Sequence, residues 1–206
     1  MATGGFFHQP EIVPIVKNTP VQLSLPQLPP RNVNNTLLVD GEQLFAHVQK
    51  LNFRRYSQME RLRTRTYIRK ELRKFGWQPQ LEKFTDGVNI FSQRLGTDKT
   101  AGAILIAAHY DTVLASPGAD DNATGIAVVL EIARLFSSVS TPKTLQLAFF
   151  DQEETGLLGS KAFVGQPAHL KNLQGVIIMD MLTLCALKRR RFYREFQSIS
   201  LSYPSF

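Results

Sequence analysis

Acidic residues and one histidine stand at the ends of apolar runs in this 206-residue chain. Ile104-Leu105-Ile106-Ala107-Ala108 leads into His109-Tyr110-Asp111. Leu145-Gln146-Leu147-Ala148-Phe149-Phe150 leads into Asp151-Gln152-Glu153-Glu154, and Val176-Ile177-Ile178-Met179 into Asp180. Between the first two lies Gly118-Ala119-Asp120-Asp121-Asn122-Ala123-Thr124-Gly125. Continuous apolar runs mark strands buried on both faces of a parallel sheet. In open α/β sheets the ligand crevice opens outside the carboxyl ends of the strands. Three such strands bring their carboxylates and imidazole into one crevice. Carboxylates that close repel one another unless cations hold them, so the pattern points to a metal site.

Each residue also has a plainer reading. His109 and Asp111 lie two apart at a strand end, so alternation points them the same way. Neutral imidazole is a common zinc ligand, and a nearby carboxylate often fixes its tautomer. A turn and helix cap accounts for Asn122 and one of Asp120 and Asp121, but not for the second acid beside His109. Glu153-Glu154 could open a helix, where acids complement the dipole. Alternatively, one glutamate ligates a metal while its neighbour serves as a base. Asp180 follows four apolar residues, where a carboxylate is costly unless paired or ligated.

The elements that must position these groups follow from periodicity. Gly41–Leu51 reads as a helix with Leu44, Phe45, Val48 and Leu51 on one side. Ser57 caps a longer helix to about Phe75, with Met59, Leu62, Tyr67, Ile68 and Leu72 at helical spacing, ended by Gly76. Trp77–Phe84 and Val88–Gln93 form a hairpin turning at Asp86-Gly87. Then come strand Ala103–Ala108, helix Thr124–Ser137, strand Thr144–Phe150, helix Leu157–Val164 and strand Val176–Met179. Alternation of this kind predicts an α/β domain over 37–182, a mixed, mostly parallel sheet with helices on both faces. Residues 1–36, with six prolines, read as an extended arm, and 183–206 as an atypical basic tail.

Composition narrows the classes. With 43% hydrophobic and 20% charged residues the chain is globular. No apolar stretch approaches the roughly 18–20 residues of a membrane span. No complete signal peptide is present, although Gly4-Gly5-Phe6-Phe7 would be the remnant of one, and the location extracytoplasmic, if the start is misplaced. Cys185 reads as a small buried hydrophobe. The net charge of +7 owes much to Lys188-Arg189-Arg190-Arg191 and Arg194. The basic stretch Arg54–Lys74 reads as a solvated helix face. Neither is taken as a nucleic-acid or membrane patch.

The motifs His109-Tyr110-Asp111, Gly118 to Gly125, Glu153-Glu154-Thr155-Gly156-Leu157-Leu158-Gly159-Ser160 and Met179-Asp180-Met181 resemble those of the co-catalytic zinc aminopeptidases, the bacterial leucyl aminopeptidases and their M28 metallopeptidase relatives. The resemblance covers roughly residues 40–182. It implies a zinc-exopeptidase fold and a peptide substrate whose N-terminal residue is released. It implies that His109 and Asp180 bind one zinc, that Asp121 bridges to a second, and that Glu154 binds that second ion. Glu153 would be the general base and Asp111 would orient His109. A non-proline cis peptide between Asp121 and Asn122 is also implied.

The pattern departs from the family after Asp180. The family places a second zinc-binding histidine on the order of 70 or more residues further on, and His8, His47 and His169 are poor replacements. His169 precedes the last strand and is expected at the opposite end of the sheet. One zinc is therefore expected here rather than two. A C-terminally truncated or frameshifted reading frame, lacking the last strands and helices, would give this and would leave activity weak or absent. Non-catalytic alternatives are a truncated zinc-binding fragment and a receptor-like domain with a dead site, the latter disfavoured by intact motifs. A glutaminyl-cyclase-like transamidase is the other enzymatic alternative.

Overall fold

In the computed structural model, which describes residues 37–182, Asp40 opens the first helix. Its carboxylate accepts from the amides of Glu42 and Gln43, satisfying donors the helix itself cannot. This helix, α1, spans Gly41–Leu51 and buries Leu44, His47, Val48 and Leu51. Phe45, expected on the buried side, is 44% exposed. At 3.6 residues per turn it falls off the stripe that His47 continues. α2 spans Gln58–Lys74 and begins with a capping box. Ser57 Oγ accepts from the Glu60 amide, and Glu60 Oε2 accepts from the Ser57 amide at 2.7 Å. Its buried side is Thr64, Arg65, Ile68, Glu71 and Leu72, while Met59 is 73% and Leu62 47% exposed. Polar residues carry the inward stripe here because α2 packs beside buried charge as well as apolar core, so apolar spacing alone misplaces its face.

The sheet follows. β1 spans Gln80–Phe84, β2 Gly87–Arg94, β3 Ala103–His109, β4 Thr144–Phe150 and β5 Leu173–Ile178, in the order β1-β2-β4-β3-β5. β4, β3 and β5 run parallel, and β1-β2 and β2-β4 pair antiparallel. β1 starts later than the predicted Trp77. That residue is instead a core anchor, its indole donating to the Ala133 carbonyl at 2.9 Å, and Pro79 has no N–H to give a ladder. α3 spans Gly125–Leu135, with Leu158–Val164 as α4 and Pro167–Leu170 as α5.

Two apolar layers hold the sheet. On one face Ile106, Ala108, Leu147 and Phe149 pack with α1, α2 and α3 through Leu44, Ile68, Leu72, Ile126 and Leu130. On the other, Phe91, Leu105, Ala107, Ala148 and Phe150 pack with Phe163 of α4. Each fully buried Leu, Ile or Phe contributes about 1.5–3 kcal/mol. The strand ends that carry chemistry are thus fixed by a core on both sides. No helix among the described residues is long and apolar enough to cross a membrane.

The segments 1–36 and 183–206, and with them Cys185, lie outside the described residues. So do the arm and tail predicted there.

Candidate metal centre

The carboxyl ends of β3, β4 and β5 meet at one edge of the sheet, as parallel strands require. His109 is the last residue of β3 and only 5% exposed. Its Nε2 lies 3.0 Å from Asp121 Oδ1 and 3.6 Å from Asp180 Oδ1. Donor atoms of His109, Asp121 and Glu154 all lie within 4.8 Å of one another. Ligands 2.0–2.2 Å from one tetrahedral ion sit about 3.3–3.6 Å apart, so the separations around His109 bracket those of a shared cation.

Local sequence explains how Asp121 arrives there. Ala119–Thr124 forms one wide turn in which Asp121 (φ −104°, ψ 93°) and Asn122 (φ −135°, ψ 46°) leave helical values. The Asp121–Asn122 peptide is cis, as the resemblance implied. Asn122 is fully buried. Its amide nitrogen donates to the Met179 carbonyl at 2.9 Å and its oxygen accepts from the Gly125 amide at 3.0 Å. That ties the Asp121 turn to the residue before Asp180. A side chain on Gly125 would collide with Asn122 Oδ1 and the Met179 carbonyl, which is why glycine stands there. Thr124 Oγ1 reinforces the tie, accepting from the Leu182 amide at 3.1 Å and donating to the Asp120 carbonyl.

Asp111, 2% exposed, organises the glutamates. Its Oδ1 accepts from the Glu153 amide at 3.0 Å and its Oδ2 from the Glu154 amide at 3.1 Å. Oδ1 also lies 3.5 Å from His109 Nδ1. One carboxylate therefore anchors the β4 exit loop beside the end of β3. The two acids do not begin a helix. They enter a tight turn closed by Gly156 and Leu157 amides on the Glu153 carbonyl, and α4 starts only at Leu158.

The charge balance fits a cation. Burial pushes the Glu154 carboxyl up, helped by Asp121, and burial also raises Glu153, helped by Asp111, Asp180 and Asp121. Burial disfavours the charged His109 imidazole, but Asp111, Glu153 and Asp121 outweigh it and hold the pKa up at about 9. Glu154 Oε1 is buried with no hydrogen-bond partner. A lone imidazole among several carboxylates, one with an orphaned buried oxygen, is a donor set that suits zinc.

Two sequence expectations need correction. The basic stretch Arg54–Lys74 is not a solvated face throughout: Arg55 is fully buried and Arg65 8% exposed. Arg61 Nε and Arg65 Nη1 reach the fully buried Asp151 carboxylate at 2.9 and 3.3 Å, clamping α2 to the start of the glutamate loop. His169 stacks on Phe163, centroids 4.1 Å apart, with Nε2 3.2 Å from Glu82 Oε1. Its commitment to Glu82 on the α4 side of the sheet, not its distance along the strands, keeps it from the cluster.

The chain belongs to Peptidase family M28, whose family model matches residues 89–193. That match runs past Asp180 into the basic segment. Aminopeptidase YwaD of Bacillus subtilis (strain 168) is 48% identical over 61 residues, 30% of this chain and 13% of that protein. A vacuolar membrane protease of Clavispora lusitaniae is 40% identical over 116 residues, 53% of this chain and 11% of that protein. The chain thus spans a small part of the length of either relative. An aminopeptidase from Aneurinibacillus sp. strain AM-1 shares the fold, with a TM-score of 0.64 at 16% identity over 69% of this chain and 70% of that one.

Proposed function

We propose that this domain is a zinc-dependent hydrolase of the aminopeptidase type, releasing N-terminal residues from peptides. The observation that carries this reading is the convergence of His109, Asp121 and Glu154 donors within 4.8 Å beside a glutamate whose backbone Asp111 pins. His109, Asp121, Glu154 and Asp180 would hold the metal. Zinc, when bound, acidifies a water and polarises the scissile carbonyl.

The chain's own residues do the rest. Glu153 accepts the proton of the attacking water and returns it to the departing amine. Its carboxyl, raised by burial and by neighbouring acids, is tuned toward that shuttle, since a base works best with a pKa near the working pH. Asp111 holds Glu153 and Glu154 in register through their amides and steadies His109.

Among the described residues His109 is the one imidazole at the cluster, so we infer one tightly held zinc per chain rather than two. Metal analysis of purified protein, with leucine-p-nitroanilide hydrolysis before and after zinc addition, tests the reading. Zinc near one per chain and zinc-restored hydrolysis lost in Glu153→Gln support it. Zinc without turnover would make the domain a metal-binding fragment, and turnover only of N-terminal glutamine to its cyclic form would make it a transamidase. Absence of zinc binding would overturn it.

A further inference from the structure

The connection between α1 and α2 carries a buried cation beside the cluster. Arg55 is fully buried, and among the described residues the hydrogen-bond partners of its guanidinium are backbone carbonyls. Nε donates to the Tyr110 carbonyl and Nη2 to the Gly118 carbonyl, each at 2.8 Å. Nη1 donates to the carbonyls of Leu51, Phe53 and Pro117. The Arg55 amide donates to Thr112 Oγ1 at 3.0 Å. Tyr110 separates His109 from Asp111, and Gly118 stands three residues before Asp121. Gly118 has φ +66°, and a side chain there would collide with Arg55 Nη2 and Thr112 Cγ2. Backbone and guanidinium therefore approach as closely as glycine allows.

A planar fork of fixed donors can hold two carbonyls at a set separation and angle, which a lysine ammonium cannot. Burial lowers the Arg55 pKa to about 10, with Asp111, Asp121 and Glu154 pulling it back up, so the group stays charged at neutral pH.

We propose that Arg55 is a positioning residue of the metal centre: its guanidinium locks the Tyr110 and Gly118 carbonyls to each other and so sets His109 and Asp121 at the separation one zinc can bridge. The inference rests on the zinc reading above. A charge-only role would survive replacement by lysine, whereas a fork that sets a separation would not.

The test is zinc affinity of the full chain by chelator competition, at a temperature where circular dichroism shows each variant folded. Arg55→Lys should bind zinc about 10–100-fold more weakly than the parent, the usual cost of removing a group that orients ligands. Leu72→Ala, a core truncation in α2 remote from the two loops, should lower the urea midpoint yet leave zinc affinity within about twofold. Millimolar guanidinium should restore part of the affinity of Arg55→Ala. If Arg55→Lys does not fold, Thr112→Val, which frees the Arg55 backbone, should still weaken zinc several-fold. Parent-like zinc affinity in Arg55→Lys, or in Thr112→Val, would overturn the inference. An equal loss in Leu72→Ala would also overturn it by reducing the effect to stability. A parent chain that fails to bind zinc would overturn the metal reading itself, a result recognisable because no variant would then differ.

Discussion

Asp111→Asn isolates the organising role of one carboxylate without changing its shape. Asp111 accepts from two amides, those of Glu153 and Glu154, at 3.0 and 3.1 Å, one on each oxygen. Asparagine has one acceptor oxygen and one NH2, which can only donate. Whichever way the amide turns, one of the two backbone N–H groups faces another donor inside a site that is 2% exposed at residue 111. Hydrogen bonds to charged groups are worth about 1.5–3 kcal/mol, and an orphaned buried donor costs a similar amount. At 1.36 kcal/mol per tenfold, loss of one such bond is roughly one to two decades. The expected outcome is a fall of about 10–100-fold in zinc affinity, in kcat of peptide hydrolysis, or shared between them. Chelator competition and leucine-p-nitroanilide kinetics on the folded variant measure both. Asp111→Asn with parent zinc affinity and parent kcat would refute the idea that this carboxylate holds the glutamate loop.

Other perturbations read other parts of the molecule. Asp151→Ala leaves the buried Arg65 and the half-buried Arg61 without their carboxylate, so the urea midpoint should fall by an amount equal to about 3–5 kcal/mol; a shift below about 1 kcal/mol would mean these arginines find water instead. Burial lowers the His47 pKa below its ordinary 6.5, with its ring packed against Tyr67. The unfolded chain therefore binds the proton more readily, and the stability His47 lends is full above about pH 6.5 and lost as pH falls through its lower folded value. His47→Gln should flatten the pH dependence of the urea midpoint between about pH 7 and 5, and an unchanged slope would contradict this. Val176, 39% exposed on β5, faces out from a strand with one partner among the described residues. Val176→Lys should raise the concentration at which light scattering begins, because charge on an edge strand opposes edge-to-edge pairing; unchanged scattering would show that this edge is already covered.

The parts of this molecule that sequence makes plain are those written in periodicity and spacing. The apolar runs before His109, Asp151 and Asp180 are strands, and their chemistry converges because parallel strands end together. Ser57 and Glu60 announce the start of α2 by chemistry local to four residues. The parts that stay hidden are long-range. Arg55 looks like one more cation in a basic stretch, and only the fold reveals that Tyr110 and Gly118 supply its carbonyls from 55 and 63 residues away. Asp151 looks like the first of a run of acids, and its partners lie on α2, up to 90 residues upstream. Met59 and Leu62 keep helical spacing yet face outward, because burial in α2 follows the site's arginines as much as its apolar residues. Asn122 fits a turn in sequence, and its bond to the Met179 carbonyl, 57 residues on, shows that it also joins the segments that carry Asp121 and Asp180.

Anomalous diffraction at the zinc edge from crystals grown with zinc tests directly whether β3, β4, β5 and the Ala119–Thr124 turn assemble a zinc centre. A peak is expected about 2.0–2.2 Å from His109 Nε2 and from carboxylate oxygens of Asp121 with Glu154 or Asp180. A peak elsewhere, such as between His169 and Glu82, or no peak at a zinc concentration that saturates the protein in solution, would contradict it.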